Sequence, residues 1–118
     1  GRVEVLGRAD DAIRTGGERV WPDEVESVLR THPKVADAAV AGRPDAEWGQ
    51  HVAAWVVPRT LDDPPTIEEL RAHCRERIAA FKAPKELFLA GEVPRTSSGK
   101  IRRRELLEHR RRPESGRG

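Results

Sequence analysis

The feature that most constrains the fold of this chain is an amphipathic segment that begins at Thr66. Thr66 and Glu69 have the spacing of a capping box, in which each side chain accepts a hydrogen bond from the other residue's backbone. Apolar residues follow at spacings of three and four: Ile67, Leu70, Cys74, Ile78 and Phe81. This periodicity predicts a helix with one apolar face over residues 67–81. Such a face must be buried against another layer of the protein.

The N-terminal part of the chain predicts a hairpin followed by a second helix. Residues 11–20 can form two short strands around Gly16 and Gly17, which accept the positive φ angles of a tight turn. Pro22 then stands at a favoured first position of a helix. Pro33 ends this helix, because proline disfavours helical geometry in the residue before it.

Further short runs predict the remaining strands and a last helix. Residues 35–41 and 51–57 are β-branched and alanine-rich, and the segment Gly42-Arg43-Pro44-Asp45 between them has the composition of a turn. Residues 86–89 can add another strand, and residues 102–108 form a short charged helix. The predicted fold class is α+β: a small domain with a short β-sheet, an N-terminal β-hairpin and about three packed helices.

Composition limits how large the core of this domain can be. The chain has 118 residues, of which 36% are hydrophobic and only 4% aromatic, so the core consists mainly of Val, Ile, Leu and Ala. A thin core of this kind favours a domain that is stabilised by contact with the surface of a partner. Residues 1–109 are predicted to form the domain, and residues 110–118, rich in Arg, Pro, Ser and Gly, a disordered basic tail.

Several classes of protein are excluded by what the sequence lacks. Cys74 is the single cysteine, which excludes an intramolecular disulfide, and its place on the apolar helix face indicates a packed thiol. The four histidines have no spacing typical of a metal site. Neither a transmembrane stretch nor a signal-peptide pattern is present. We therefore expect a cytoplasmic protein with no metal site and no membrane span.

Lys100 is the strongest candidate for a functional residue. Lysine occurs only four times, and this one follows the small polar run Thr96-Ser97-Ser98-Gly99. A nucleotide-binding P-loop would need glycine in place of Pro94 and serine or threonine in place of Ile101, so the pattern is not a P-loop. It is typical either of a mobile cation delivered to an anionic substrate or of a solvated loop lysine.

Three segments in this order resemble the C-terminal domain of the adenylate-forming superfamily, which includes acyl-CoA synthetases, luciferases and the adenylation domains of peptide synthetases. They cover roughly residues 2–108. The first contains Gly7-Arg8-Ala9-Asp10-Asp11, Gly16-Gly17-Glu18 and Trp21-Pro22; the second His32-Pro33, Pro44-Asp45 and Trp48-Gly49; the third Phe81-Lys82-Ala83-Pro84 and the segment 94–100. The first two segments are more similar to acyl- or aryl-CoA ligases than to peptide-synthetase domains.

The resemblance implies an acid–CoA ligase that works in two steps in one active site. A carboxylate attacks the α-phosphate of ATP with Mg²⁺, which gives an acyl-adenylate and pyrophosphate, and the thiol of coenzyme A then displaces AMP. A large N-terminal domain would bind ATP and the acid, while the small domain rotates between the steps. This chain has no room for that large domain, so we expect it to be a domain of a longer ligase that is inactive alone. Which carboxylic acid reacts is left open.

The resemblance also implies roles for individual residues. Lys100 matches the lysine of the adenylation step, where a cation between carboxylate and phosphate oxygens offsets developing charge. Asp10 matches the hinge about which the small domain turns, although aspartate is also a common turn residue. Arg8 matches a residue that contacts the nucleotide near the ribose.

Other matches concern the thiol and the phosphates. Gly16 and Gly17 match residues that line the tunnel for the pantetheine arm of coenzyme A, where missing Cβ atoms leave room for a narrow substrate. A simple hairpin turn would also explain both. Arg19 is assigned to the nucleotide phosphates or to hydrated surface. Trp48 is assigned to packing of the connection between two strands.

The sequence also leaves other functions open besides that of an acid–CoA ligase. The chain could belong to a peptide synthetase or a luciferase-like enzyme. It could instead be a basic module that binds nucleic acid through its arginine runs, but no aromatic residues are interleaved with them and glutamates interrupt them. A third hypothesis is regulation, in which acylation of Lys100 removes the charge needed for adenylation.

Overall fold

The computed structural model describes residues 12–109 of the chain. Its helices and strands, in chain order, are β1 (Ile13–Thr15), β2 (Glu18–Val20), α1 (Pro22–Arg30), β3 (Val35–Asp45), β4 (Gly49–Pro58), α2 (Ile67–Arg75), β5 (Glu86–Leu89) and α3 (Arg103–His109). A single 3₁₀ turn, Ala80–Lys82, stands between α2 and β5. The predicted α+β class is confirmed. The Arg8 and Asp10 predictions and the predicted disordered tail lie outside the described residues.

The predicted hairpin and first helix are both present. Gly16 and Gly17 have φ angles of +59° and +88°, the conformation that favours glycine, and they join β1 to β2. Pro22 is the first residue of α1, as the sequence predicts. Acidic residues in the first turn of α1 and Arg30 in its last turn complement the helix dipole.

The five strands form one mixed sheet in which β4 is the central strand. Its order is β2-β1-β4-β3, and β5 pairs with β4 in parallel beside β1. The β3–β4 ladder is antiparallel and long, running from the pair Val35 and Pro58 to the pair Asp45 and Gly49. Since β3 pairs only with β4 among the described strands, its other side is a free edge of the sheet.

The predicted turn at residues 42–45 is wrong, because β3 continues through these residues to Asp45. Pro44 lies in the ladder opposite Gln50. The backbone N–H groups of Ala38 and Val40 in β3 point to the free edge and not to β4. Backbone groups of successive residues in a strand point to opposite sides, so those of Pro44, an even number of residues further on, also point to the free edge. A proline here therefore loses no hydrogen bond to β4, which is why the strand tolerates it.

The helix predicted over residues 67–81 is shorter in the structure. Its capping box is present, but α2 ends at Arg75. Ala79 has a ψ angle of 141°, which takes the chain out of helical geometry before the 3₁₀ turn. Ile78 still packs against the core, whereas Phe81 leaves the apolar stripe and is 41% exposed.

The sheet buries apolar residues on both faces. On one face α1 and α2 cover alternate residues of β3 and β4, among them Val40 and Val56. On the other face, Leu106 of α3 packs against alanines of both strands and against Trp55, whose ring stacks on Phe88. Most of the buried residues are Val, Ile, Leu and Ala, so the predicted thin aliphatic core is confirmed.

Cys74 belongs to this core. Its side chain is fully buried, and burial raises the pKa of the thiol to about 11. A thiol with so high a pKa is almost entirely protonated at neutral pH and is a poor nucleophile. The predicted role of Cys74 as a packed residue is confirmed.

Two leucines test whether α2 is held by its buried face. Leu70 is fully buried, whereas Leu61 in the loop before α2 is 86% exposed. We expect Leu70→Ala to lower the free energy of unfolding by about 2–5 kcal/mol, because it leaves a cavity in the core. Leu61→Ala should change it little. Urea unfolding of both variants measures the difference, and equal losses would contradict the described packing.

Candidate functional site

Lys100 lies in a tight hairpin, residues 95–101, hereafter the Lys100 hairpin. Arg95 and Ile101 form an antiparallel bridge at its base. The Thr96 N–H donates to the Lys100 carbonyl oxygen at 2.7 Å, and the Lys100 N–H donates to Thr96 Oγ1 at 3.1 Å. Gly99, with φ of +94°, allows the turn to close. Both backbone polar groups of Lys100 are therefore held within the hairpin.

The ammonium group of Lys100 has no anionic partner in the part of the chain that the structure describes. The other lysines each have a contact: Lys34 with Glu69 and Asp63, Lys82 with Glu24, and Lys85 with the ring of Trp48. The exposed side chain of Lys100 thus carries a positive charge that is available to an anion. A compact ammonium on a flexible stem suits contact with carboxylate and phosphate oxygens.

An ion pair fixes the first residue of the Lys100 hairpin to β3. Both terminal nitrogens of Arg95 donate to the carboxylate of Asp37. Asp37 also accepts from the Ala38 N–H at 2.8 Å and from Arg30 Nε at 3.1 Å. The hydrogen bond from Arg95, supported by these two donors, lowers the pKa of the Asp37 carboxyl below its ordinary value. Asp37 therefore stays ionised at neutral pH.

A buried ion pair fixes the start of α3, directly after the Lys100 hairpin. Arg103 donates to Glu26 Oε2 at 2.7 Å and to the Val40 carbonyl oxygen at 2.9 Å. Glu26 is 3% exposed and also accepts from the Val40 N–H at 2.8 Å. Burial raises the pKa of the Glu26 carboxyl, while the Arg103 charge opposes this shift.

Of the two predicted thiol-tunnel glycines, Gly16 lies beneath Trp48, whereas Gly17 faces open space. The Gly16 N–H donates to the Trp48 carbonyl oxygen at 2.9 Å. A Cβ atom placed on Gly16 would lie 2.4 Å from Trp48 Cε3, so no larger residue fits there unless the ring moves. At Gly17 a Cβ would meet nothing within 4 Å. Lys85 Nζ lies 4.8 Å from the centre of the half-exposed Trp48 ring, so a cation stands on the ring that covers Gly16.

Asp45 holds the turn that carries Trp48. Asp45 Oδ1 accepts from the N–H groups of Glu47 and Trp48 at 2.8 and 2.9 Å. His51 then links this turn to β5, with Nδ1 at 3.0 Å from Asp45 Oδ2 and Nε2 at 2.7 Å from Glu86 Oε1. Trp48 packs the connection between two strands, as predicted, and at the same time covers Gly16.

Arg19 and the arginine run after the Lys100 hairpin differ in their surroundings. Arg19 is exposed and lies opposite Arg14 in the β1–β2 ladder, and neither guanidinium has an acidic partner within residues 12–109. In the run 102–104, Arg102 pairs with Glu105 and Arg103 with Glu26. These pairs already engage two of the three arginines that the nucleic-acid hypothesis would use; the arginines at 110–112 lie outside the described residues.

Within residues 12–109, no group of three or more His, Cys, Asp or Glu side chains could share a metal ion. None of the described helices is long and apolar enough to cross a membrane.

The sequence indicates Lys100 and the two glycines as candidates, but it does not indicate the residues that contact or support them in the structure. Asp45 before Trp48-Gly49 has the composition of a side-chain-capped turn, which could have been recognised. The contacts of Asp37, Glu26 and Lys85 join positions distant in sequence, and nothing local in the chain indicates them.

Comparison with known proteins gives matches over most of the chain. The family model of the AMP-binding enzyme C-terminal domain matches residues 24–100, which ends on Lys100. A medium/long-chain-fatty-acid–CoA/3-oxocholest-4-en-26-oate–CoA ligase of Mycolicibacterium smegmatis is 49% identical over 100 residues, which are 85% of this chain and 18% of that protein.

Solved structures show the same fold. An o-succinylbenzoate CoA synthetase from Bacillus subtilis, in complex with its acyl-adenylate intermediate, has a TM-score of 0.77 at 42% identity and covers 86% of this chain. A Mycobacterium tuberculosis fatty acyl CoA synthetase has a TM-score of 0.78 at 38% identity and also covers 86%. The chain spans only about a fifth of these proteins: 20% of either structure.

A double-mutant cycle tests the contact between Gly16 and Trp48. We expect Gly16→Ala to lower the free energy of unfolding both because its φ is positive and because the added methyl displaces the ring. In a Trp48→Ala background the second cost disappears, so the loss should be smaller. Gly17→Ala, which adds a methyl into open space, should cost the same in both backgrounds.

Urea unfolding of the five variants and the wild-type chain completes the cycle. If the cost of Gly16→Ala did not depend on residue 48, the ring would not lie on Gly16 in solution.

Proposed function

Because this chain belongs to the family of AMP-binding enzyme C-terminal domains, we propose that it is the small domain of an AMP-forming acid–CoA ligase. The observation that carries the proposal is the exposed ammonium of Lys100, which has no acidic partner among the described residues and stands on a hydrogen-bonded hairpin. The relatives named above are, by their names, CoA ligases for fatty acids, for a cholestenoate and for o-succinylbenzoate. The proposed substrate class is therefore a carboxylic acid together with ATP and coenzyme A.

Lys100 is assigned to the adenylation step. In this step a carboxylate oxygen forms a bond to the α-phosphorus of ATP, the bond to the β-phosphate bridging oxygen breaks, and pyrophosphate leaves. Carboxylate and phosphate are both anionic and repel each other as they approach. The Lys100 ammonium can donate to oxygens of both groups, which offsets this repulsion and the charge that develops in the transition state.

The surface around Gly17 and Trp48 is assigned to the thioester step. There the sulfur of coenzyme A bonds to the acyl carbon, the bond from that carbon to the phosphate oxygen breaks, and AMP leaves. The open space at Gly17 and the flat Trp48 ring beside it leave a path for the narrow pantetheine arm. Lys85 places a positive charge close by, which suits the phosphates of coenzyme A.

The separation along β3 of the residues to which these two surfaces are attached supports a rotation of the domain between the steps. The Lys100 hairpin is attached to β3 at Asp37, whereas Trp48 is attached to its other end at Asp45. Eight residues of strand span about 26 Å, at a rise of about 3.3 Å per residue. In the proposed rotation, each surface is turned toward the acyl group for one of the two steps. The proposal also includes Asp10 as the hinge of this rotation. Arg8 and Arg19 are assigned to contacts with the nucleotide.

ATP and Mg²⁺ would be held mainly by the large N-terminal domain, which is the proposed partner of this chain. Within residues 12–109 no carboxylate cluster is suited to a metal ion. The described residues offer instead a lysine for phosphate and carboxylate oxygens, which fits ATP as a substrate brought from the other domain.

Lys100→Ala in the complete ligase tests the proposal. We expect acid-dependent pyrophosphate release to fall about a hundredfold or more, because one well-placed charge is lost from the transition state. Thioester formation from supplied acyl-adenylate should change little. Both half-reactions can be followed in single turnovers, with the acid varied to identify the substrate.

Lys34→Ala is the matched control, because Lys34 is engaged by Glu69 and Asp63 and lies outside the proposed site. It should leave both half-reactions unchanged. If Lys100→Ala also left adenylation unchanged, Lys100 would be a solvated loop lysine and the proposal would be wrong.

A further inference from the structure

We propose that two ion pairs on either side of Lys100 position it for adenylation, and we name them together the hairpin clamp. One is the pair of Arg95 with Asp37, and the other is the pair of Arg103 with Glu26. The inference rests on the proposed role of Lys100. It assigns a function to four residues that do not touch substrate and act through Lys100.

The Lys100 hairpin has a single apolar residue, Ile101 at its end, which is partly buried against the face of the sheet that α3 covers. Residues 96–100 are Thr, Ser, Ser, Gly and Lys, and four of them are exposed. The flanking Val93 and Leu106 are buried, but they lie outside the hairpin. Its internal hydrogen bonds fix the shape of the turn and not its place on the domain. Contacts at the two ends must therefore set where Lys100 stands.

Both ends are fixed to the same short stretch of β3. Arg95 reaches Asp37, and Arg103 reaches the Val40 carbonyl oxygen as well as Glu26. A two-nitrogen pair between a guanidinium and a carboxylate restricts orientation as well as distance. Arg95 makes such a pair with Asp37, whereas Arg103 divides its hydrogen bonds between Glu26 and the Val40 carbonyl oxygen. The chain is therefore attached to the domain on both sides of Lys100.

The acids of the clamp are themselves held in place. Asp37 accepts from Arg30 Nε at 3.1 Å and from the Ala38 N–H. Arg30 also donates to the Ala38 carbonyl oxygen at 2.9 Å. Each acid accepts a hydrogen bond from a backbone N–H group of β3. The chain on both sides of Lys100 is therefore held in a fixed position relative to the sheet. Positioning errors of about 1 Å at a reacting group can cost up to about a hundredfold in rate.

Arg95→Ala is the variant that separates positioning from folding. The Arg95 and Asp37 side chains are 33% and 26% exposed, so water can solvate the partner that remains. Removing Arg103 would instead strand the buried Glu26 carboxylate and endanger the fold. We expect Arg95→Ala to slow adenylation between about tenfold and a hundredfold in the complete ligase, with KM values for ATP and acid nearly unchanged.

The other half-reaction and a conservative variant sharpen this test. Thioester formation from supplied acyl-adenylate should stay within about twofold, since Lys100 serves the other step. Arg95→Lys keeps one ionic contact and should give an intermediate adenylation rate. Asp37→Asn removes the same pair from the other side and should match Arg95→Ala.

Arg59→Ala is the matched control. Arg59 donates to the carbonyl oxygens of Pro33 and Val35, so it also caps the free edge of β3, but it does not contact the Lys100 hairpin. It should leave adenylation unchanged even if it lowers the urea midpoint. A loss of adenylation that merely followed stability would appear in Arg59→Ala too and would overturn the inference.

A cycle with Lys100→Ala distinguishes failure of the clamp from failure of the proposed function. If Arg95 acts through Lys100, the double variant Arg95→Ala/Lys100→Ala is no slower in adenylation than Lys100→Ala alone. If the two losses multiply, or if Arg95→Ala has no effect while Lys100→Ala does, the clamp is wrong and the role of Lys100 stands. If Lys100→Ala has no effect, the proposed function itself is wrong.

Discussion

The free edge of β3 is the constraint on which the rest of this domain depends. An edge strand exposes backbone groups that have no strand to pair with, and these groups need other partners. Here charged side chains supply them: Arg59 at Val35, Arg30 at Ala38, and Arg103 and Glu26 at Val40. The contacts that complete the edge also attach α1, α3 and the Lys100 hairpin to the sheet. Stability of the sheet and placement of the proposed catalytic lysine thus share one set of interactions.

The length of β3 gives the domain two separate working surfaces. The Lys100 hairpin is attached near the start of the strand, at Asp37, and the turn with Trp48 follows its end. The strand keeps these two attachments apart, which agrees with the proposal that each surface serves one step and that the domain turns between the steps. The geometry of one strand therefore connects the fold to the proposed two-step mechanism.

Those parts of the fold that follow local rules could be predicted from the sequence. The Gly16-Gly17 hairpin, the proline at the start of α1 and the capping box of Thr66 with Glu69 all depend on neighbouring residues. The sequence predicts a turn at Pro44, whereas the residue lies in β3. A strand accepts proline at this position only because β3 is an edge strand, and the edge is defined only once the sheet has assembled. Phe81 was misassigned to a helix because the chain leaves helical geometry at Ala79 without a local stop signal.

The residues of the candidate site also differ in whether the local sequence indicates them. Lys100 and the glycines stand in short patterns that can be recognised, whereas Asp37 and Arg95 are 58 residues apart and meet only in the fold. Neither residue has a neighbour that marks it as functional. The proposed cation can therefore be identified from the sequence, whereas the ion pair proposed to position it is visible only in the structure.

A crystal structure of the complete ligase with its acid and a non-hydrolysable ATP analogue would show whether Lys100 serves the adenylation step. We expect Lys100 Nζ to lie within about 3.2 Å of both a carboxylate oxygen and an α-phosphate oxygen, with Arg95 still paired to Asp37. Another cation in that place, with Lys100 in solvent and the small domain closed over ATP, would show that Lys100 does not have this role.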